Sequence, residues 1–287
     1  MLHLEIVKPF KIGNVLFSYV DKDFFTNDNK EDLYQQYKGD IFVSYIVKGE
    51  KNKAKEKALK KCALAVDCLK LCFDTIAYPK VKTSLDIDSR TIENVDNKIL
   101  IFDTQDDNDV SIEKFRIPSH QNINDKTWFV INNRGLNLFH SFLLSIDNKN
   151  ELTELESLIC NAIKLFSYSI SINNLNRRIV ELFTILESLL LPDSNASILE
   201  SLTKYLSKLS TKDINERKKI IALLKKMYGI RSSYVHHALN KEFDTGELGE
   251  LQILIFGLIR KFIILRKEHR TKETILKEID DAILGAY

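Results

Sequence analysis

Apolar and polar positions alternate in three short stretches near the start of the chain, residues 2–7, 15–20 and 41–47. A period of two predicts strands, and the β-branched and aromatic content of the third strengthens that reading. The polar residues 21–39 between the second and third predict a loop with a short helix. From about residue 49 to residue 77 the period changes. Ala58, Leu59, Cys62, Leu64, Ala65, Cys68, Leu69 and Cys72 fall on a helical stripe, and Pro79 is expected to end that helix. Residues 99–102 and 128–131 predict further strands. Residues 135–145 predict a short helix, where His140 sits in an apolar stretch as a core histidine.

Past the polar break Asp147-Asn148-Lys149-Asn150 the strand signals stop. Helical periodicity runs over 152–172, 174–191, 197–209, 213–240, 247–268 and 272–284. It is interrupted by Leu191-Pro192-Asp193-Ser194-Asn195 and by the stretch 240–249. The expected fold is therefore α+β: an N-terminal mixed α/β domain over 1–150, then an all-α helical bundle over 151–287. No internal repeat is evident.

Composition fits this division. The chain has 287 residues, 44% of them hydrophobic and 29% charged, the balance of a globular protein with a packed core. Its 42 basic and 40 acidic residues leave a net charge of +2, so any affinity for RNA must come from local patches. The first residues lack the organisation of a signal peptide. The most apolar run, 251–259, soon meets Arg260 and Lys261 and is too short to span a bilayer. A cytoplasmic protein with no membrane partner is the expectation. Cys62, Cys68, Cys72 and Cys160 form neither a C-x-x-C pair nor a zinc pattern, and no glycine-rich phosphate loop occurs, so no metal or cofactor is expected. The acidic run 103–109 lacks the glycine and terminal glutamate of a calcium loop and reads as a surface loop. His3 and His120 have no partner that the sequence identifies. Lys51, Lys53, Lys55, Lys57, Lys60 and Lys61 read as the solvated start of a helix, or alternatively as a phosphate-contacting surface.

Chemistry concentrates in Gly229-Ile230-Arg231-Ser232-Ser233-Tyr234-Val235-His236-His237, at the end of a long helix-forming run. Arginine offers a permanently charged planar fork for phosphate oxygens. Histidine can take and return a proton near neutral pH. On one helix Arg231 and His236 are separated by about 140° of rotation and about 7.5 Å of rise, so one straight helix does not readily aim both at one phosphate. Two copies crossing at a twofold axis would, which points to a dimer with a shared site. The competing reading makes Ser232 and Ser233 small residues at a helix contact, with one of the two histidines simply exposed.

The stretch Leu186-Glu187-Ser188-Leu189-Leu190 precedes this motif, and an apolar helix follows it. With that context, residues 151–287 resemble the HEPN superfamily, and within it the Apea-like branch, where a hydrophobic Leu-Glu-x-Leu-Leu phrase is followed by Arg-x4-His. The resemblance implies a metal-independent endoribonuclease acting as a homodimer, of the kind found in toxin–antitoxin, abortive-infection and other anti-phage systems. It carries the catalytic roles onto Arg231 and His236. Ser232 stands where the superfamily often has Asn, Asp or His, and His237 where the Apea-like branch often has Gly. No tyrosine lies two residues beyond His236, which disfavours the subgroup regulated by nucleotide transfer to such a residue. Glu187 is a candidate for orienting Arg231 or His236, or else a surface carboxylate. Arg217, Lys218, Lys219, Lys225 and Lys226 are candidates to track an RNA backbone, or else a solvated face. The N-terminal half matches no family. Its expected role is to sense a trigger or restrain activity, and an antitoxin or trigger protein is a further expected partner. Two alternatives remain open, a catalytically inactive interaction module and an RNA-binding regulator.

Overall fold

A computed structural model describes residues 4–6, 8–24, 30–38, 41–80, 98–102, 110–114, 121–123, 125–149, 151–193 and 196–284. The protein is mostly helical with a small antiparallel sheet near the N-terminus, an α+β layout. It divides into two compact units, Met1–Phe73 with Thr83–Asp147 and Asp74–Lys82 with Asn148–Tyr287. The expectations for His3, His120 and residues 103–109 fall outside the described residues.

In the first unit, β1 (Leu4–Ile6) precedes a hairpin of β2 (Phe10–Ile12) and β3 (Val15–Tyr19), and β4 (Ile41–Ser44) pairs with β3. Gly13 opens the two-residue hairpin loop with φ of 63°, a conformation that favours glycine. A Cβ there would also lie 2.7 Å from the Cβ of Leu143. Between β3 and β4 lie a 3-10 turn, Lys22–Phe24, and helix α1 (Lys30–Tyr37). Helix α2 (Lys51–Leu71) buries Cys62, Leu64, Ala65, Cys68 and Leu69, while its first-turn lysines are exposed. All four cysteines are buried and free, and burial pushes the Cys62 thiol up to about 12. The helix stops at Leu71, earlier than a break at Pro79 requires, because Asp74–Ala77 turns as a 3-10 helix and packs with the second unit. The strands β5 (Lys98–Phe102) and β6 (Val110–Lys114) pair antiparallel, and β7 (Gln121–Ile123) pairs parallel with β1.

The strand expected over 128–131 is instead helix α3 (Asp125–Ile131). Helical spacing puts Trp128 on Phe10, ring centroids 4.8 Å apart, and buries Ile131, while Phe129 is left 68% exposed. A strand would have put Phe129 and Ile131 on the same face. A π turn at Asn132–Leu136, kinked at Gly135, leads into α4 (Asn137–Asp147). His140 is half-buried rather than in the core, with Nδ1 3.1 Å from the Lys11 carbonyl. At the end of α4, burial pushes the Asp147 carboxyl upward. Hydrogen bonds from Asn14, Lys61 and Tyr45 outweigh it and hold the group below the ordinary carboxylate value.

In the second unit, α5 (Glu154–Ser169) starts at a reciprocal capping box between Thr153 and Glu156. It is followed by α6 (Leu175–Leu190), α7 (Ile198–Ser210), α8 (Ile214–His237), α9 (Thr245–Leu265) and α10 (Lys272–Leu284). Asn174, Asp213 and Asp244 each accept a backbone N–H at a helix start, which fixes where α6, α8 and α9 begin. Helix α6 is central and packs against α5, α7, α8 and α9, burying Leu182, Phe183, Leu186 and Leu189.

Candidate functional site

Helix α8 positions most of the candidate residues. Ile220, Leu223, Leu224, Met227 and Ile230 form its buried seam, and its main neighbours are α6 and α7. Arg231 follows the last of these and sits at the seam's edge, its side chain 17% exposed. Its Nη2 donates to Oε1 of Glu187 on α6 at 3.2 Å. Glu187 reaches this position because Leu186 and Leu190 on either side are buried, so the carboxylate lies at the margin of the α6–α8 contact. The guanidinium carbon lies 5.6 Å from the centre of the Tyr228 ring, which is itself edge-on to Phe183 at 5.5 Å. The cation is therefore held from two sides, by a carboxylate and by an aromatic face.

The Arg231 Nε–H is buried without an acceptor. An unsatisfied buried donor costs on the order of 1–3 kcal/mol, so this arginine carries strain that simple packing would not select. Glu187 occupies one nitrogen of the fork, and the side chain keeps further N–H donors for an anion.

His236 and His237 lie in the last turn, where a cation is favoured by the helix dipole. Both are exposed, with ring centroids 6.5 Å apart, and neither makes a hydrogen bond or ion pair among the described residues. The structure thus brings Glu187 to Arg231 and does not bring His236 to either. Ser232 is half-buried beside Arg231, and the Ser233 hydroxyl donates back to the Gly229 carbonyl at 2.9 Å. The helix ends at Ala238 in the left-handed region, φ 52°.

The basic candidates divide by role. Arg217 donates to the Thr211 carbonyl at 2.8 Å and fixes the α7–α8 turn. Lys226 pairs with Glu247 of α9 at 2.6 Å, and Lys219 with Glu216 at 2.7 Å. Lys218 and Lys225 are exposed. At about 100° per residue, Lys218, Ala222, Lys225, Gly229, Ser232 and His236 share one outward stripe of α8. Tyr228 and Phe183 were not anticipated in the sequence. The signal available was an aromatic residue three positions before Arg231, a spacing that brings helical side chains together.

Among the described residues, no three His, Cys, Asp or Glu side chains are grouped to hold a metal ion, and no helix is long and apolar enough to cross a membrane. Comparison with protein-family models, with curated proteins and with solved structures finds no match for this chain.

Proposed function

We propose that the helical unit is a HEPN-type, metal-independent endoribonuclease that works as a homodimer, an effector of an anti-phage, abortive-infection or toxin system. One observation carries the reading. The two stretches on which the resemblance rests, 44 residues apart, are joined by the Glu187–Arg231 pair. A buried-edge arginine tethered by a single carboxylate is suited to stabilising charge that builds on a phosphate.

In this mechanism a ribose 2′-hydroxyl attacks the adjacent phosphorus and the 5′-oxygen leaves, giving a 2′,3′-cyclic phosphate and a 5′-hydroxyl. His236 takes the proton of the attacking hydroxyl. Arg231 stabilises the equatorial oxygens as charge develops, and Glu187 holds Arg231 in place. His236 lies about 140° around α8 from Arg231, so a second copy supplies the histidine that protonates the leaving oxygen. The stripe of Lys218 and Lys225 leading to His236 would follow the backbone of the bound RNA.

The test is cleavage of several RNA classes by the full chain in excess EDTA, beside Arg231→Ala and His236→Ala. Thermal melts of each variant confirm folding, and end analysis identifies the products. The expected result is chelator-resistant cleavage leaving cyclic phosphates, reduced at least about 100-fold in each variant. Cleavage that survives His236→Ala would sink the mechanism. A second reading, a non-catalytic interaction module, draws on the exposure of His236 away from the Glu187–Arg231 pair. Inactivity of the intact protein towards every RNA class would favour it.

A further inference from the structure

Helix α9 buries a broad face, including Leu251, Ile255, Leu258, Ile259 and Phe262, as a core helix does. Its opposite face is not the charged surface expected of an amphipathic helix at the boundary of a fold. Gly246, Glu250, Ile253, Gly257, Arg260 and Ile264 follow one another at steps of four, three, four, three and four residues. That is the spacing of a seam that meets another helix. Ile253 is 50% exposed and Ile264 51%, Gly246, Glu250 and Gly257 are exposed, and a Cβ built on Gly257 meets nothing within 4 Å. Arg260 lies over the Phe256 ring at 5.6 Å, and its Nε is buried with no acceptor. A glycine inside a helix costs about 1 kcal/mol relative to alanine, so an open glycine between two exposed isoleucines is not explained by the fold of one chain.

We infer that this face pairs antiparallel with the same face of a second copy of the chain. One register satisfies the whole seam. With the two α9 helices antiparallel about a twofold axis, Ile253 of each copy sits over Gly257 of the other, and Ile264 over Gly246. Glu250 of each faces Arg260 of the other. The contacts are reciprocal, as a twofold interface requires, and each layer pairs alternate seam positions as antiparallel coiled coils do. The occupant is fixed by complementarity. The seam presents its own cation and its own anion at the spacing that neutralises both, and it presents a recess for each protruding side chain. The Arg260 fork, whose Nε has no acceptor within the chain, gains a carboxylate. The contact uses neither Arg231 nor His236 and does not rest on the ribonuclease reading.

Sedimentation and light scattering of the full chain, from about 1 to 100 µM, test it, since a two-helix contact below standard interface size is expected near micromolar affinity. The wild type should form a dimer. Glu250→Arg and Arg260→Glu should each weaken it at least about tenfold by placing like charges opposite one another, and the double variant should restore it. Gly257→Glu should abolish association without lowering the monomer's melting temperature, because the position is open and the helix gains propensity. A chain that stays monomeric throughout, a dimer that single reversals leave unchanged, or a double reversal that fails to restore it would each overturn the pairing.

Discussion

Ala238 ends α8 with φ of 52°, the one left-handed non-glycine residue among those described. Its N–H bonds to the Tyr234 carbonyl at 3.0 Å, and the next N–H, of Leu239, reaches back to Ser233 at 3.4 Å. A side chain in this region clashes with its own backbone and costs roughly 1–2 kcal/mol, a penalty that glycine avoids. The strained residue directly follows His236 and His237, so the helix end that displays both histidines is under tension. Ala238→Gly should raise unfolding stability by about 1 kcal/mol, read as a shift of the urea midpoint at constant slope; an unchanged or lower midpoint would show that the left-handed turn is not strained. At this scale the sequence was informative where a residue's chemistry alone decided its place. Glu187 was visible as a partner for Arg231. The buried, acceptor-free Nε of Arg231 was not visible, because it depends on which side of the guanidinium α6 covers.

Helices were more legible than strands, for a physical reason. In the second half, periodicity and capping agree. Thr153, Asn174, Asp213 and Asp244 stand just before the apolar stripes of α5, α6, α8 and α9, and each accepts a backbone N–H. The strands β2 and β7 are three residues long, too short to display an alternation. The Gly13-Asn14 pair was nevertheless a readable hairpin signal. Over 128–131, β-branched and aromatic composition suggested a strand, but packing of Trp128 on Phe10 and burial of Ile131 selected the helix. Tertiary contact outweighs propensity when the two differ by only about 1 kcal/mol. The outward stripe of α8 gives a prediction at this scale. Gly229 lies inside the helix, where a Cβ would meet nothing within 4 Å. Gly229→Ala should therefore stabilise the protein by roughly 0.5–1 kcal/mol. Differential scanning calorimetry checks this, and a lower melting temperature would mean that something not in this chain's own contacts requires the glycine.

Across the whole molecule the chain passes between its two units at three places, after Phe73, after Lys82 and after Asp147. The short insert Asp74–Lys82 belongs to the helical unit, which a single boundary at residue 150 did not capture. Its attachment explains three residues that otherwise look out of place in a core. Gly249 is required because a Cβ would lie 2.5 Å from the Ala77 carbonyl. Gln252, fully buried in α9, donates to the Ile76 carbonyl at 2.6 Å. Arg178, 3% exposed in α6, donates to the Pro79 carbonyl at 2.8 Å and to the Ile172 carbonyl through Nε and Nη2. Burial pushes its guanidinium down to about 10, still charged at neutral pH. Backbone carbonyls and the Gln252 side chain satisfy this cation, so its fork ties the insert to α6 by hydrogen bonding. Arg178→Met keeps the volume and removes the donors, leaving the Pro79 and Ile172 carbonyls unpaired. The expected loss is about 1–3 kcal/mol of stability, with faster hydrogen exchange at residues 74–80 than in the wild type. Chemical denaturation measures the first and exchange mass spectrometry the second. Equal exchange over 74–80 in both proteins would mean that the insert is held by the Gly249 and Gln252 contacts without Arg178, and the tether assigned to Arg178 would fall.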